Sequence, residues 1–136
     1  MFSSFIEFLK RTFRKFSYAV RGFVLSLKEE KSLVVHSIFG IITLIVSAIL
    51  QLSPIKWAII IFLIGLVISS ELMNTAIENV VDMVSFKFNF NAKKIKDVSA
   101  AATLVLAITA IIIGLLIFIP QIVLFAQNGY GYNGWK

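Results

Sequence analysis

Three of the protein's seven acidic residues fall within twelve positions, Glu71-Leu72-Met73-Asn74-Thr75-Ala76-Ile77-Glu78-Asn79-Val80-Val81-Asp82. At ~100° per residue, Glu71, Asn74, Glu78 and Asp82 project within roughly 60° of one helical line. The 14 residues before them, 57–70, carry no charge. A stripe of carboxylates at the end of an apolar helix is unfavourable to place there, and ionisable groups in such positions mark a site.

The residue types point to one kind of chemistry. An acid held among apolar neighbours is a candidate base for a hydroxyl proton, which fits Glu71. Glu78 lies two turns further along. Carboxylates there, with phosphate oxygens and water, suit Mg²⁺, which takes only one or two protein carboxylates. Asn74 lies between them and can orient a hydroxyl or a carbonyl. Lys94 and Lys96 can meet phosphates. A hydroxyl acceptor held in a bilayer, with a metal nucleotide above it, is the arrangement an interfacial phosphoryl transfer needs. The competing structural reading is hydrogen bonding of Asn74 and Glu78 between helices of a bundle.

The rest of the chain must position that stripe. It has 136 residues, 59% of them hydrophobic, and a mean hydropathy of +0.94. A soluble domain of that length cannot hide so much apolar surface, so an all-α membrane protein forming a single membrane domain is expected. There is no cysteine, hence no disulfide frame and no thiolate metal site. The net charge of +6 reads as topology and anionic lipid, not as nucleic-acid binding. No cleavable signal is expected, because the first apolar run lies behind a basic segment.

Residues 1–31 read as a surface helix and a polar break. Phe2, Phe5, Ile6, Leu9, Phe13, Phe16, Val20, Phe23, Val24 and Leu27 recur at three- and four-residue steps, with Lys10, Arg11, Arg14, Lys15 and Arg21 between them. That pattern suits a helix lying in the headgroup plane, or one packed on the bundle. Lys28-Glu29-Glu30-Lys31-Ser32 is the break. Residues 33–52, 55–82 and 98–118 are expected to span the bilayer. His36, near the start of the first span, reads as a packed or interfacial residue and not as a ligand. Ser53 and Pro54 read as the cap and first position of the second span. Ser99, Thr103, Ala107, Ala110 and Gly114 give the third span a small-residue face suited to close packing. Residues 83–97 read as a loop and 119–136 as a tail, with Pro120 at the exit and Tyr130, Tyr132 and Trp135 as interfacial anchors. The tail sequence Gly129-Tyr130-Gly131-Tyr132-Asn133-Gly134 matches a dinucleotide-binding pattern, but only two residues follow it, too few for the helix that motif requires.

Seven of the thirteen basic residues precede the first span and four lie in the 83–97 segment; only Lys56 and Lys136 fall on the other side. The positive-inside rule then places the amino terminus and the acidic stripe in the cytoplasm, where ATP and Mg²⁺ are available.

The 71–82 segment closely resembles the signature of the small bacterial integral-membrane diacylglycerol kinases and undecaprenol kinases. Tyr18-Ala19-Val20-Arg21-Gly22 is similar to their amino-terminal segment. Glu30 falls where they have an acid before the first span. Lys96-Asp97-Val98-Ser99-Ala100-Ala101 resembles their entry into the third span. The similarity covers roughly residues 11–118. It implies a homotrimer in the bacterial cytoplasmic membrane, with an amino-terminal surface helix, three transmembrane helices per subunit and active sites between subunits. It implies phosphoryl transfer from MgATP to a lipid alcohol. By position, Glu71 would be the general base, Glu30 and Glu78 the metal ligands, and Asn74 a support for the lipid hydroxyl. Arg11, Tyr18, Lys96 and Asp97 would join Glu30 and Glu78 around the nucleotide, and Asp82 would structure the cytoplasmic end. Lys87 and Asn89 stand where relatives often carry an acid and a histidine, and Ile95 where alanine is usual. His36 and the Glu30-Lys31 context resemble the Gram-positive undecaprenol kinase branch, which makes undecaprenol the expected acceptor and diacylglycerol the alternative. A different class, a non-enzymatic ion-conducting oligomer, would need the polar stripe to continue across the bilayer. Residues 57–70 offer only Gly65, Ser69 and Ser70 for that.

Overall fold

The computed structural model describes residues 2–85 and 89–129, with side chains from residue 6 onward. Four helices follow one another: α1 (Phe2–Glu29), α2 (Lys31–Ile49), α3 (Pro54–Val84) and α4 (Phe90–Asn128). The last three are long and apolar enough to cross a membrane. No more than 17% of any spanning window is buried. Phe39, Phe62, Leu104 and Leu116 are among the side chains that face outward. Only lipid or another protein surface can take up so much apolar area, so the hydrophobic effect that buries a soluble core here holds the helices in the bilayer.

α3 is the central helix. It packs most extensively on α4, next on α2, and lightly on α1. α2 comes close to α3 at Gly40, where a Cβ would lie 3.1 Å from the Ile64 side chain. Leu52, Ile60 and Ile117 form a small core at the end of the bundle near the α2–α3 turn, with Leu44, Trp57, Ile113 and Phe118 against it.

The turn itself is fixed by backbone chemistry. The Leu52 amide donates to the Ser47 carbonyl and the Gln51 amide to the Ala48 carbonyl, both at 3.2 Å. This pairing closes a helix with one left-handed residue, and here it is Gln51, at φ 53°. A side chain is unfavourable in that region, where glycine is at ease. Gln51→Gly is therefore expected to stabilise the protein by up to about 1 kcal/mol, read as a raised thermal midpoint in detergent micelles. A lowered midpoint would show that the Gln51 side chain contributes more than its backbone strain costs. Ser53 occupies the capping position before α3 and Pro54 its first turn, as expected, but the Ser53 side chain makes no capping hydrogen bond.

Two segments differ from the sequence expectation. The polar break over residues 28–32 contracts to Glu30 alone, in extended conformation between α1 and α2. Hydrogen bonds continue across it, from the Glu30 amide to the Ser26 carbonyl (2.8 Å) and from the Val34 amide to the Glu30 carbonyl (3.3 Å). The flanking Lys and Glu residues are good helix formers, so polarity alone does not end the helix. At the other end of the chain, α4 starts at Phe90 instead of residue 98 and continues through Pro120 to Asn128. Asn89 caps its start, accepting from the Asn91 amide at 2.9 Å. Pro120 removes one amide donor without ending the helix, which membrane helices tolerate where neighbouring groups compensate.

Gln121, the next residue, joins the helices at this level. It is buried, accepts from Lys56 Nζ at 2.7 Å and donates to the Leu50 carbonyl at 3.0 Å. One amide thus ties α4 to α3 and to the last carbonyls of α2, which lack intrahelical partners. Gln121→Leu leaves both partners unsatisfied and is expected to cost about 1–3 kcal/mol of stability in a micelle unfolding titration. Unchanged stability would show that water replaces the amide without loss. Tyr130, Tyr132 and Trp135, expected as anchors, lie outside the described residues, as does Lys87.

Candidate active site

Each residue of the acidic stripe has a defined place on α3. Glu71 is 5% exposed. Burying a carboxylate is costly unless partners satisfy it, and both partners come from α2. Ser32 Oγ donates to Oε2 at 3.0 Å, and His36 Nδ1 lies 3.4 Å from Oε1. One turn on, Asn74 Nδ2 donates to Glu78 Oε1 at 2.9 Å. This bond lies within α3, and among the described residues it is the contact seen for this pair, not one between helices. The Asn74 Oδ1 atom is buried and has no partner among the described residues. At the end of the stripe, Asp82 Oδ1 accepts from Lys96 Nζ at 2.6 Å, which joins α3 to the start of α4.

Two grooves lie along α3, and Asn74 is the residue of the stripe that lines one of them. On one side α3 forms the floor and α2 and α4 the walls of an apolar groove of about 450 Å³, with His36 and Thr43 among its lining residues. Ala107, Ala110 and Gly114 open onto this groove. Gly114 has free space where a Cβ would stand, so no described residue packs against the chain at that point. Thr103 does meet α3, with its hydroxyl 3.4 Å from the Ser70 carbonyl. On the other side, Asn74, Lys94, Ser99 and Thr103 line a groove of about 760 Å³ between α3 and α4.

A carboxylate screened from water, two further carboxylates toward the helix end and an ammonium fixed on the last of them are groups of the kind phosphoryl transfer uses. The family model described as prokaryotic diacylglycerol kinase matches residues 17–118, about three-quarters of the chain, with the whole stripe inside the match. The chain belongs to the prokaryotic diacylglycerol kinase family. It is an ATP-dependent lipid kinase of the membrane. The undecaprenol kinase of Bacillus subtilis (strain 168) is 41% identical over 114 residues, covering 84% of this chain and 93% of the relative. The diacylglycerol kinase of Synechocystis sp. is 32% identical, covering 79% of this chain and 62% of the relative. The diacylglycerol kinase of Helicobacter pylori is 29% identical, covering 71% and 75%.

In this kinase the remaining sequence-identified residues are more scattered. Glu30 sits at the elbow between α1 and α2, half-buried, with no capping hydrogen bond from its side chain. Arg11 and Tyr18 are exposed on α1, and Arg11 precedes the matched segment. Asp97 is exposed in the third turn of α4, beside Lys96. Among the described residues, no three of His, Cys, Asp and Glu gather closely enough to enclose a metal ion.

Sequence reasoning set His36 aside and did not single out Ser32. The signal was present in the hairpin. Ser32 and Glu71 are about equally far from the turn at Gln51, on antiparallel helices, which brings them side by side. His36 is one turn further along the same face of α2.

Proposed function

We propose that this kinase transfers the γ-phosphate of ATP to the hydroxyl of undecaprenol, forming undecaprenyl phosphate. What most favours this acceptor is the 41% identity to the Bacillus subtilis undecaprenol kinase over nearly all of that relative. Diacylglycerol is the second reading, favoured by the Synechocystis and Helicobacter pylori relatives. Glu71 accepts the proton of the lipid hydroxyl as that oxygen attacks the γ-phosphorus and ADP leaves. Asn74, whose Oδ1 has no partner among the described residues, orients the hydroxyl. Lys96, Asp97, Arg11 and Tyr18 surround the nucleotide, and Asp82 fixes the Lys96 ammonium.

Glu30 and Glu78 are the residues that would hold Mg²⁺. Mg²⁺ takes one or two carboxylates from a protein, with phosphate oxygens and water completing its shell, so the donor set fits. The ion would neutralise charge on the transferring phosphate. Three copies of the chain, each a single membrane domain, form the working unit, and the outward-facing apolar surface of the helices supports such an assembly. α1 lies on the cytoplasmic surface through its apolar face, which includes the exposed Phe13 and Phe16. The excess of lysine and arginine before α2 and between α3 and α4 supports a cytoplasmic amino terminus and active site.

A micellar assay offering undecaprenol and diacylglycerol in competition for labelled ATP tests this reading. Label is expected mainly in undecaprenyl phosphate. Label mainly in phosphatidic acid would establish the second reading, and label in neither would reject lipid phosphorylation by this site.

A further inference from the structure

His36 stands apart from the roles above, yet it meets Glu71. Its Nδ1 is buried and makes no hydrogen bond among the described residues, although a buried carboxylate oxygen lies 3.4 Å away. Buried polar atoms are nearly always paired, so an unpaired one facing an acceptor needs an explanation. The same carboxylate is held on its other oxygen by Ser32, one turn earlier on α2. The imidazole also lines the apolar groove, so it stands between that groove and Glu71.

We infer that His36 is a positioning residue for Glu71: with Nδ1 protonated, it donates to Oε1 and fixes the carboxylate against Ser32. Two donors from one helix, one on each oxygen, hold the carboxyl plane of Glu71 in a single orientation. A neutral imidazole that donates through Nδ1 leaves Nε2 as an acceptor, so the arrangement adds no charge to the apolar groove. Misplacing a reacting group by 1 Å can cost two orders of magnitude in rate, so a side chain that never touches phosphate can still control turnover. This inference rests on Glu71 acting at the site.

The test uses the full-length, untagged protein in micelles. His36→Leu removes the donor, whereas His36→Asn offers an amide N–H near the position of Nδ1. His36→Leu is expected to lower kcat by about 10- to 100-fold, with little change in KM for the lipid, and His36→Asn to recover most of the loss. Because the chain has a single histidine, its imidazole ¹⁵N signals are unambiguous. They are expected to show the Nδ1–H tautomer in the wild type and its loss in Glu71→Gln. Normal kcat in His36→Leu would overturn the assignment. So would equal impairment of the Leu and Asn variants, or a tautomer indifferent to Glu71→Gln. Normal turnover in Glu71→Gln is a different failure, which removes Glu71 from the chemistry and leaves the His36 tautomer result standing.

Discussion

Glu71→Gln is expected to lower turnover by about 10²- to 10⁴-fold, the usual contribution of a positioned base. The substitution is nearly isosteric, and the amide oxygen can still accept from Ser32 Oγ, which now lies 3.0 Å from Oε2. The helices should therefore stay folded. Circular dichroism and size-exclusion in micelles should match the wild type while labelled phosphate transfer falls. An amide cannot take the hydroxyl proton, so the loss should appear in kcat and kcat/KM alike, the pattern for a group that acts in the transition state. Near-normal turnover would remove Glu71 from the base role.

Glu78→Gln should separate metal binding from proton transfer. The amide oxygen can still accept from Asn74 Nδ2, so the 2.9 Å contact within α3 is preserved. What is lost is the negative charge that a hard cation needs. The Mg²⁺ concentration for half-maximal activity is expected to rise by at least about tenfold, because even groups supporting metal ligands have effects of that size. Unchanged metal dependence would exclude Glu78 from the metal shell. The two variants thus fail differently: excess Mg²⁺ should restore Glu78→Gln in part and leave the turnover of Glu71→Gln unchanged.

The ion pair of Lys96 and Asp82 is expected to have little effect on stability. Asp82 is well exposed, and an exposed ion pair contributes at most about 1 kcal/mol. The pair joins the start of α4 to the end of the acidic stripe.

Three helices apolar enough to span, and the placing of the acidic stripe on the second of them, were legible from residue order alone. Both follow from local rules: a bilayer needs about 20 apolar residues in line, and a helix places residues three and four apart on one face. The signature over residues 71–82 also carried the family, because its acids sit where an apolar helix would otherwise exclude them. The sequence overestimated its breaks. Lys28, Glu29 and Lys31 look like a loop by charge, yet they continue helices on either side of Glu30, because a polar residue does not stop a helix whose backbone bonds are made. Pro120 looked like an exit, yet α4 continues to Asn128 and Gln121 fastens it to α2 and α3.

What Glu71 touches was settled by helix packing. Ser32 and His36 are separated from it by most of two helices in sequence, and their contact depends on where the turn at Gln51 falls and on how closely Gly40 lets α2 approach Ile64. A hydrophobic pattern fixes which face of a helix avoids water, but in a bilayer nearly every face of a span is apolar. The pattern then leaves the rotation of one helix against another open. Small residues and a few buried polar contacts settle that rotation, and they become visible only when the helices are packed.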